Sequence, residues 1–181
     1  AVTPSGTTTG LGLSDIQLMG LVTPGTVTKA SGSSSGSLNL TFSAPSSALD
    51  YLAQGQTLTL TYTVAVDDKD SGGIATRNFT VTINGTNDAP VIGGVSTGAV
   101  TEDSANPNLT TTGKLTVTDA DADQSTFQTT GVAPAIGTLG SLTIAADGTW
   151  NYTVANSLVQ SLGATQTKSE LFTVLTADGA A

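Results

Sequence analysis

An all-β chain of two small antiparallel sandwiches is predicted by three observations: a composition of strand and turn formers, period-two alternation of apolar residues, and an internal repeat. Thr is the commonest residue, with 34 copies beside 18 Ser and 21 Gly, and the acidic residues are 12 Asp against 2 Glu. Threonine suits a half-exposed pleated strand, whereas Asp and Gly suit turns. No helix longer than a turn or two is expected. The 181 residues suffice for two domains of about 90 residues each.

The repeat sets Leu52–Asp68 over Leu162–Asp178 without a gap. Six positions are identical: Leu52/Leu162, Gln56/Gln166, Thr57/Thr167, Thr63/Thr173, Val64/Val174 and Asp68/Asp178. Upstream, Gly36–Phe42 matches Gly148–Val154 with a spacing that differs by about two residues. Two copies of one unit follow, 1–86 with a divergent front half and 87–181, joined near Asn84-Gly-Thr-Asn-Asp-Ala-Pro90. The proline holds its predecessor extended and marks the joint.

Alternation then places the strands. In copy one, Leu58, Leu60, Tyr62, Val64 and Val66 share one face of a strand, and Phe79, Val81 and Ile83 alternate with Thr80 and Thr82 in another over Ile74–Ile83. In copy two, Lys114–Thr118 and Ser141–Ile144 read as short strands, and Asp147-Gly148 as a hairpin turn entering a strand that runs to Val154. Copy two stops before any counterpart of the 74–83 strand. The chain, which opens on Ala1, is therefore expected to be a mature or excised piece of a longer array, or copy two to complete its sheet differently.

The charge narrows the chemistry. With no His and no Cys, every site that needs imidazole or thiolate is excluded, which leaves oxygen ligands. Five Lys+Arg and a net charge of −9 disfavour nucleic acid and anionic membranes as partners. No apolar run is long enough to insert into a bilayer.

Nine of the 14 acidic residues fall between Asp67 and Asp123. They form the groups Asp67-Asp68-Lys69-Asp70, Asn87-Asp88, Glu102-Asp103 and Asp119-Ala120-Asp121-Ala122-Asp123. Carboxylates this dense repel one another unless solvent, protons or cations intervene. Calcium takes six to eight oxygens, and an Asp-x-Asp-x-Asp loop can offer several to one ion. The loop is not an EF-hand, because the glycine after the third ligand and the twelfth-position Glu are missing. Solvated turn aspartates without a metal are the alternative.

These residues resemble the bacterial cadherin-like repeats known as VCBS repeats, found in secreted RTX-type adhesins. The resemblance is carried by Leu49–Val66, Val81–Pro90, Thr101-Glu102-Asp103, Leu115–Asp121 and Asp147–Tyr152, and is weaker before Gly36. It implies two tandem cadherin-like, Ig-like antiparallel β-sandwich domains with Ca2+ at their joint. Asn87 and Asp88 are similar to the cadherin linker, Glu102 to the Glu of the following domain's first strand, and Asp119 and Asp121 to its Asp-x-Asp loop. Asp123 extends that loop. Asp50 lies where cadherins have Asp-x-Glu, but Leu52 stands at the Glu position and removes one ligand. Asp68 and Asp70, with Asp67, could hold a separate ion in their own turn.

Function is then expected to be that of a calcium-stiffened, non-catalytic adhesion module on a secreted bacterial surface protein, serving attachment or biofilm formation beside neighbouring repeats. The alternative is calcium-dependent recognition of an extracellular polysaccharide, with Trp150 and Tyr152 as a stacking platform. Against it, a lone Trp on a strand more often fills a core. Catalysis by carboxylate pairs is disfavoured, since the acids sit in turns with no evident apolar cleft.

Overall fold

A computed structural model describes residues 1–67 and 73–181. Asp68 and Asp70 therefore lie outside the described residues. The chain divides into two compact units, Ala1–Asn87 and Asp88–Ala181. It is all-β, with antiparallel pairing throughout.

In the first unit, β1 (Val2–Gly6), β4 (Thr57–Asp67) and β5 (Ile74–Asn84) form a three-stranded sheet in the order β1-β4-β5. A two-stranded sheet pairs β2 (Val22–Pro24) with β3 (Leu40–Phe42). The alternation read from β4 matches its burial as far as Val64: Leu58 and Leu60 are fully buried, Tyr62 is buried and Val64 half-buried, while Thr57 and Thr63 are exposed; Val66, expected on the same apolar face, is 60% exposed. Tyr62 stacks on Phe79 of β5 with ring centroids 5.1 Å apart. Its hydroxyl donates to the Leu18 carbonyl of α1 (Asp15–Gly20). That helix has a capping box, in which Ser14 and Gln17 each receive the other's backbone N–H.

In the second unit, β6 (Val91–Gly94), β7 (Asn108–Thr118), β9 (Ser141–Ile144) and β10 (Thr149–Ala155) form a sheet in the order β6-β7-β10-β9. A two-stranded sheet pairs β8 (Ala133–Pro134) with β11 (Phe172–Thr173). Two apolar clusters fill the unit. Leu109, Val154 and Val159 make one; Phe127, Ile144 and Trp150 make the other, with Leu115, Val117 and Val174 packed against it. Gly148 adopts φ +84°, and a Cβ there would meet the Leu115 carbonyl oxygen at 2.1 Å. The Asp147-Gly148 turn thus requires glycine for both conformation and space.

At the same turn the Lys114 ammonium donates to Asp147 Oδ2 at 2.9 Å. This bond, joined by the Thr149 N–H and hydroxyl, pulls the Asp147 carboxyl down to about 2. A depressed carboxyl contributes stability that is present above its ordinary value and lost as pH falls through its folded one. The Lys114→Met variant is expected to melt a few degrees below the parent at pH 6, since the pair is exposed. That difference should shrink below pH 3.8 and vanish near about 2. Thermal melts at the two ends of this window check it.

The repeat is also structural. Short 3-10 turns at Ser46–Ala48 and Asn156–Leu158 occupy equivalent places. Beyond them, Leu52 N–H donates to the Leu49 carbonyl as Leu162 N–H does to Val159. Gln56 accepts the Ala53 N–H as Gln166 accepts that of Gly163. Among the described residues no helix is long and apolar enough to cross a membrane.

Candidate functional site

The acidic loop begins where β7 ends at Thr118, at the end of an eleven-residue strand held against β10 and β6. Asp121 N–H donates to Asp119 Oδ1 at 2.9 Å, so the first aspartate folds the loop over itself. Asp119 N–H in turn donates to the Ser125 hydroxyl at 2.9 Å. Asp121 is 2% exposed, and its Oδ2 accepts the Asp88 N–H at 2.8 Å. The first residue of the second unit is thereby tied to the Asp-x-Asp loop.

Among the described residues, four buried oxygens have no hydrogen-bond partner: Glu102 Oε2, Asp119 Oδ2, Asp121 Oδ1 and Gln124 Oε1. An unpaired buried polar atom costs about 1–3 kcal/mol, and more when charged. All four can accept from a proton donor or bind a cation, and none can donate when the acids are ionised. Three belong to residues singled out by sequence. Gln124 does not, because an uncharged amide does not stand out beside a run of aspartates. The carboxylates alone do not make a cage: among the described residues no group of three or more Asp or Glu is placed to hold a metal by itself. An ion in this loop would need amide, carbonyl or water oxygens as well, as calcium commonly does.

Asp123 is exposed at φ 65°. Asp88 is half-buried, Asn87 is the exposed last residue of the first unit, and Asp50 lies on an exposed turn of that unit. Asp103, beside Glu102, has a structural task. Its N–H donates to Asn156 Oδ1, while its Oδ1 accepts from Asn156 at 2.9 Å and Gln160 at 3.0 Å. The amides of Asn156 and Gln160 hold its carboxyl below the usual value.

The family model described as bacterial cadherin-like domain matches residues 87–181. The chain belongs to the bacterial cadherin-like domain family. No curated protein matches it. Domains of this family are adhesion-type modules, typically extracellular.

Within the cadherin-like unit, Trp150 and Tyr152, the expected stacking platform, are both engaged by neighbouring groups of the domain. Trp150 is 5% exposed and its indole N–H donates to the Val95 carbonyl at 2.7 Å. The ring lies over Gly113, directly opposite on β7, where a Cβ would come within 2.4 Å of it. Both the apolar face and the polar edge are spent inside the domain. Tyr152 is half-buried, meets Phe172 edge-on at 5.9 Å, and donates its hydroxyl to Glu170. Burial, reinforced by that carboxylate, pushes the Tyr152 hydroxyl up to about 12.

Glu170 was not singled out by sequence. Its carboxylate also accepts the N–H groups of Leu139 and Gly140. Burial raises its carboxyl, but the two backbone amides and Tyr152 together hold it below the ordinary range. It pins the loop before β9 to the segment before β11, which is a fold contact.

Proposed function

We propose that this cadherin-like protein is a calcium-stabilised, non-catalytic adhesion module of a secreted bacterial surface protein. The supporting observation is the set of unpartnered buried oxygens on Glu102, Asp119, Asp121 and Gln124. Asp119 and Asp121 supply the core of the ion site, since each keeps one carboxylate oxygen engaged by a backbone N–H and the other free of any protein donor. Glu102 and Gln124 are the next oxygens recruited, and water completes the shell. Because Asp121 also accepts the Asp88 N–H, an ion on the loop would fix the residue at which the second unit begins. A load-bearing tether for attachment or biofilm formation needs such stiffness at domain ends. The polysaccharide-binding alternative draws no support from Trp150, whose faces are covered.

Melting the intact chain with calcium and with chelator tests the reading. A ligand at a hundred times its Kd stabilises by about 2.7 kcal/mol, which in a domain of this size raises Tm by roughly 10–20 °C. Trp150 is the sole tryptophan, so its fluorescence follows the second unit alone. An unchanged midpoint sinks the calcium reading.

A further inference from the structure

Eight asparagines occur in the chain, and five of them, Asn39, Asn78, Asn84, Asn108 and Asn151, are followed two residues later by Thr with no proline between. That is the acceptor pattern for an N-linked sugar. The third position is Thr every time: Thr41, Thr80, Thr86, Thr110 and Thr153. Thr makes up 34 of the 181 residues, so random placement would give about one or two such matches. Period-two alternation raises that number, because Asn and Thr two apart share the solvent face of a strand. What separates an acceptor from strand decoration is the state of its amide.

All five asparagines are exposed, as are Thr41, Thr80, Thr86 and Thr110, while Thr153 is half-buried. Among the described residues no side-chain hydrogen bond engages any of the five amides. Asn156, outside the pattern, shows the contrast: it is buried, and its amide is spent on Asp103. Between Asn and Thr the chain turns inward in four cases, with Leu109 buried and Phe79, Gly85 and Tyr152 half-buried. A sugar on the Asn therefore extends into solvent and displaces no part of the core. The five differ in backbone setting. Asn39 directly precedes β3, Asn84 is the last residue of β5 and Asn108 the first of β7. Asn78 lies within β5 opposite Thr63, and Asn151 within β10 between Thr112 of β7 and Thr143 of β9.

We propose that these asparagines are N-glycosylation sites whose donor is a phosphate-activated sugar. A bond forms between Asn Nδ2 and the anomeric carbon of the sugar as the bond from that carbon to the donor's phosphate oxygen breaks. The phosphate leaves with the electron pair, and the amide proton passes to a base of the transferase. The Thr hydroxyl two residues on is the group by which the transferase selects its asparagine. Transfer at Asn151 precedes folding, because β10 is paired on both sides and cannot bend into a transferase cleft. The strand-end sites stay open to transfer afterwards. None of this depends on calcium.

Peptide mass spectrometry of the chain isolated from the cells that make it is the test. Sugar is expected on asparagines of this set and not on Asn106, the matched control, which is also exposed but is followed by Pro107 and has Asn108 in the third place. One monosaccharide per site marks a nucleotide-activated donor, and a preassembled oligosaccharide a lipid-linked one. Removing the third-position hydroxyl at an occupied site, as Thr80→Ala does for Asn78 or Thr110→Ala for Asn108, should abolish the sugar there, whereas Thr80→Ser and Thr110→Ser keep it. Both threonines are exposed, so the variants fold. Bare peptides at all five positions, sugar carried only on Ser or Thr hydroxyls, or a sugar that survives loss of its third-position hydroxyl overturns the proposal.

Discussion

In calcium, the Asp121→Asn variant is expected to melt well below the parent, and in chelator at or above it. The two conditions separate because Asp121 has two jobs. Its Oδ2 accepts the Asp88 N–H, which an amide oxygen can also do. Its Oδ1 is buried without a partner, and only as a carboxylate can it add a full charge to a cation. Without calcium the amide removes a charge beside Asp119, so electrostatic strain falls. With calcium the variant forfeits most of the linkage stabilisation, about 2–3 kcal/mol at a hundredfold excess over Kd, or roughly 10–20 °C for this unit. Asp123→Asn is the matched control, because Asp123 is exposed, and it should keep nearly the whole calcium increment. If Asp121→Asn keeps that increment too, Asp121 is not a ligand. If the parent itself gains nothing from calcium, the ion site falls for every residue at once.

What the sequence reveals depends on how the information is encoded. β4 and the end of the β9-β10 turn were legible because alternation and an Asp-Gly pair are local signals, and Leu58 to Tyr62 are buried as the pattern demands. β7 was read only from Lys114, yet it runs from Asn108 to Thr118. Its front half is Leu109 followed by three threonines, and what makes it a strand is the register with β10, Leu109 opposite Val154. α1 has six residues and one buried position, Leu18, too short to show a period of 3.6; its Ser14/Gln17 box was the available signal. The apparent divergence of the front half has a topological cause. Val2 of β1 lies opposite Tyr62 of β4 as Pro134 of β8 lies opposite Phe172 of β11, the residue aligned with Tyr62 in the repeat, so β1 corresponds to β8 and not to the strands that open the second unit. At the site, Asp119 and Asp121 stood out by spacing. Gln124 did not, and the unpartnered state of all four oxygens exists only once the chain is folded.

The Trp150→Ala variant is expected to unfold the second unit or leave it barely folded at 37 °C. Removing a buried tryptophan costs about 3–5 kcal/mol, against roughly 5–15 kcal/mol for a whole domain. The site cannot collapse cheaply. The indole fills the space that Gly113 and Gly98 leave open, where a Cβ would come within 2.4 and 2.8 Å of it, and backbone that is held in a sheet does not move inward to close such a void. The Val95 carbonyl would also lose its donor. Trp150→Phe keeps part of the volume but not the N–H, and should lose less. Circular dichroism and urea titration of both variants measure the difference, and a Trp150→Ala cost below about 1 kcal/mol would contradict the buried placement. The same reasoning decides how a carbohydrate assay must be read. Binding lost in Trp150→Ala would follow from unfolding and carry no information about sugar contact. Binding lost in Trp150→Phe with the melt preserved would require an indole reachable from solvent, which the 5% exposure of Trp150 denies.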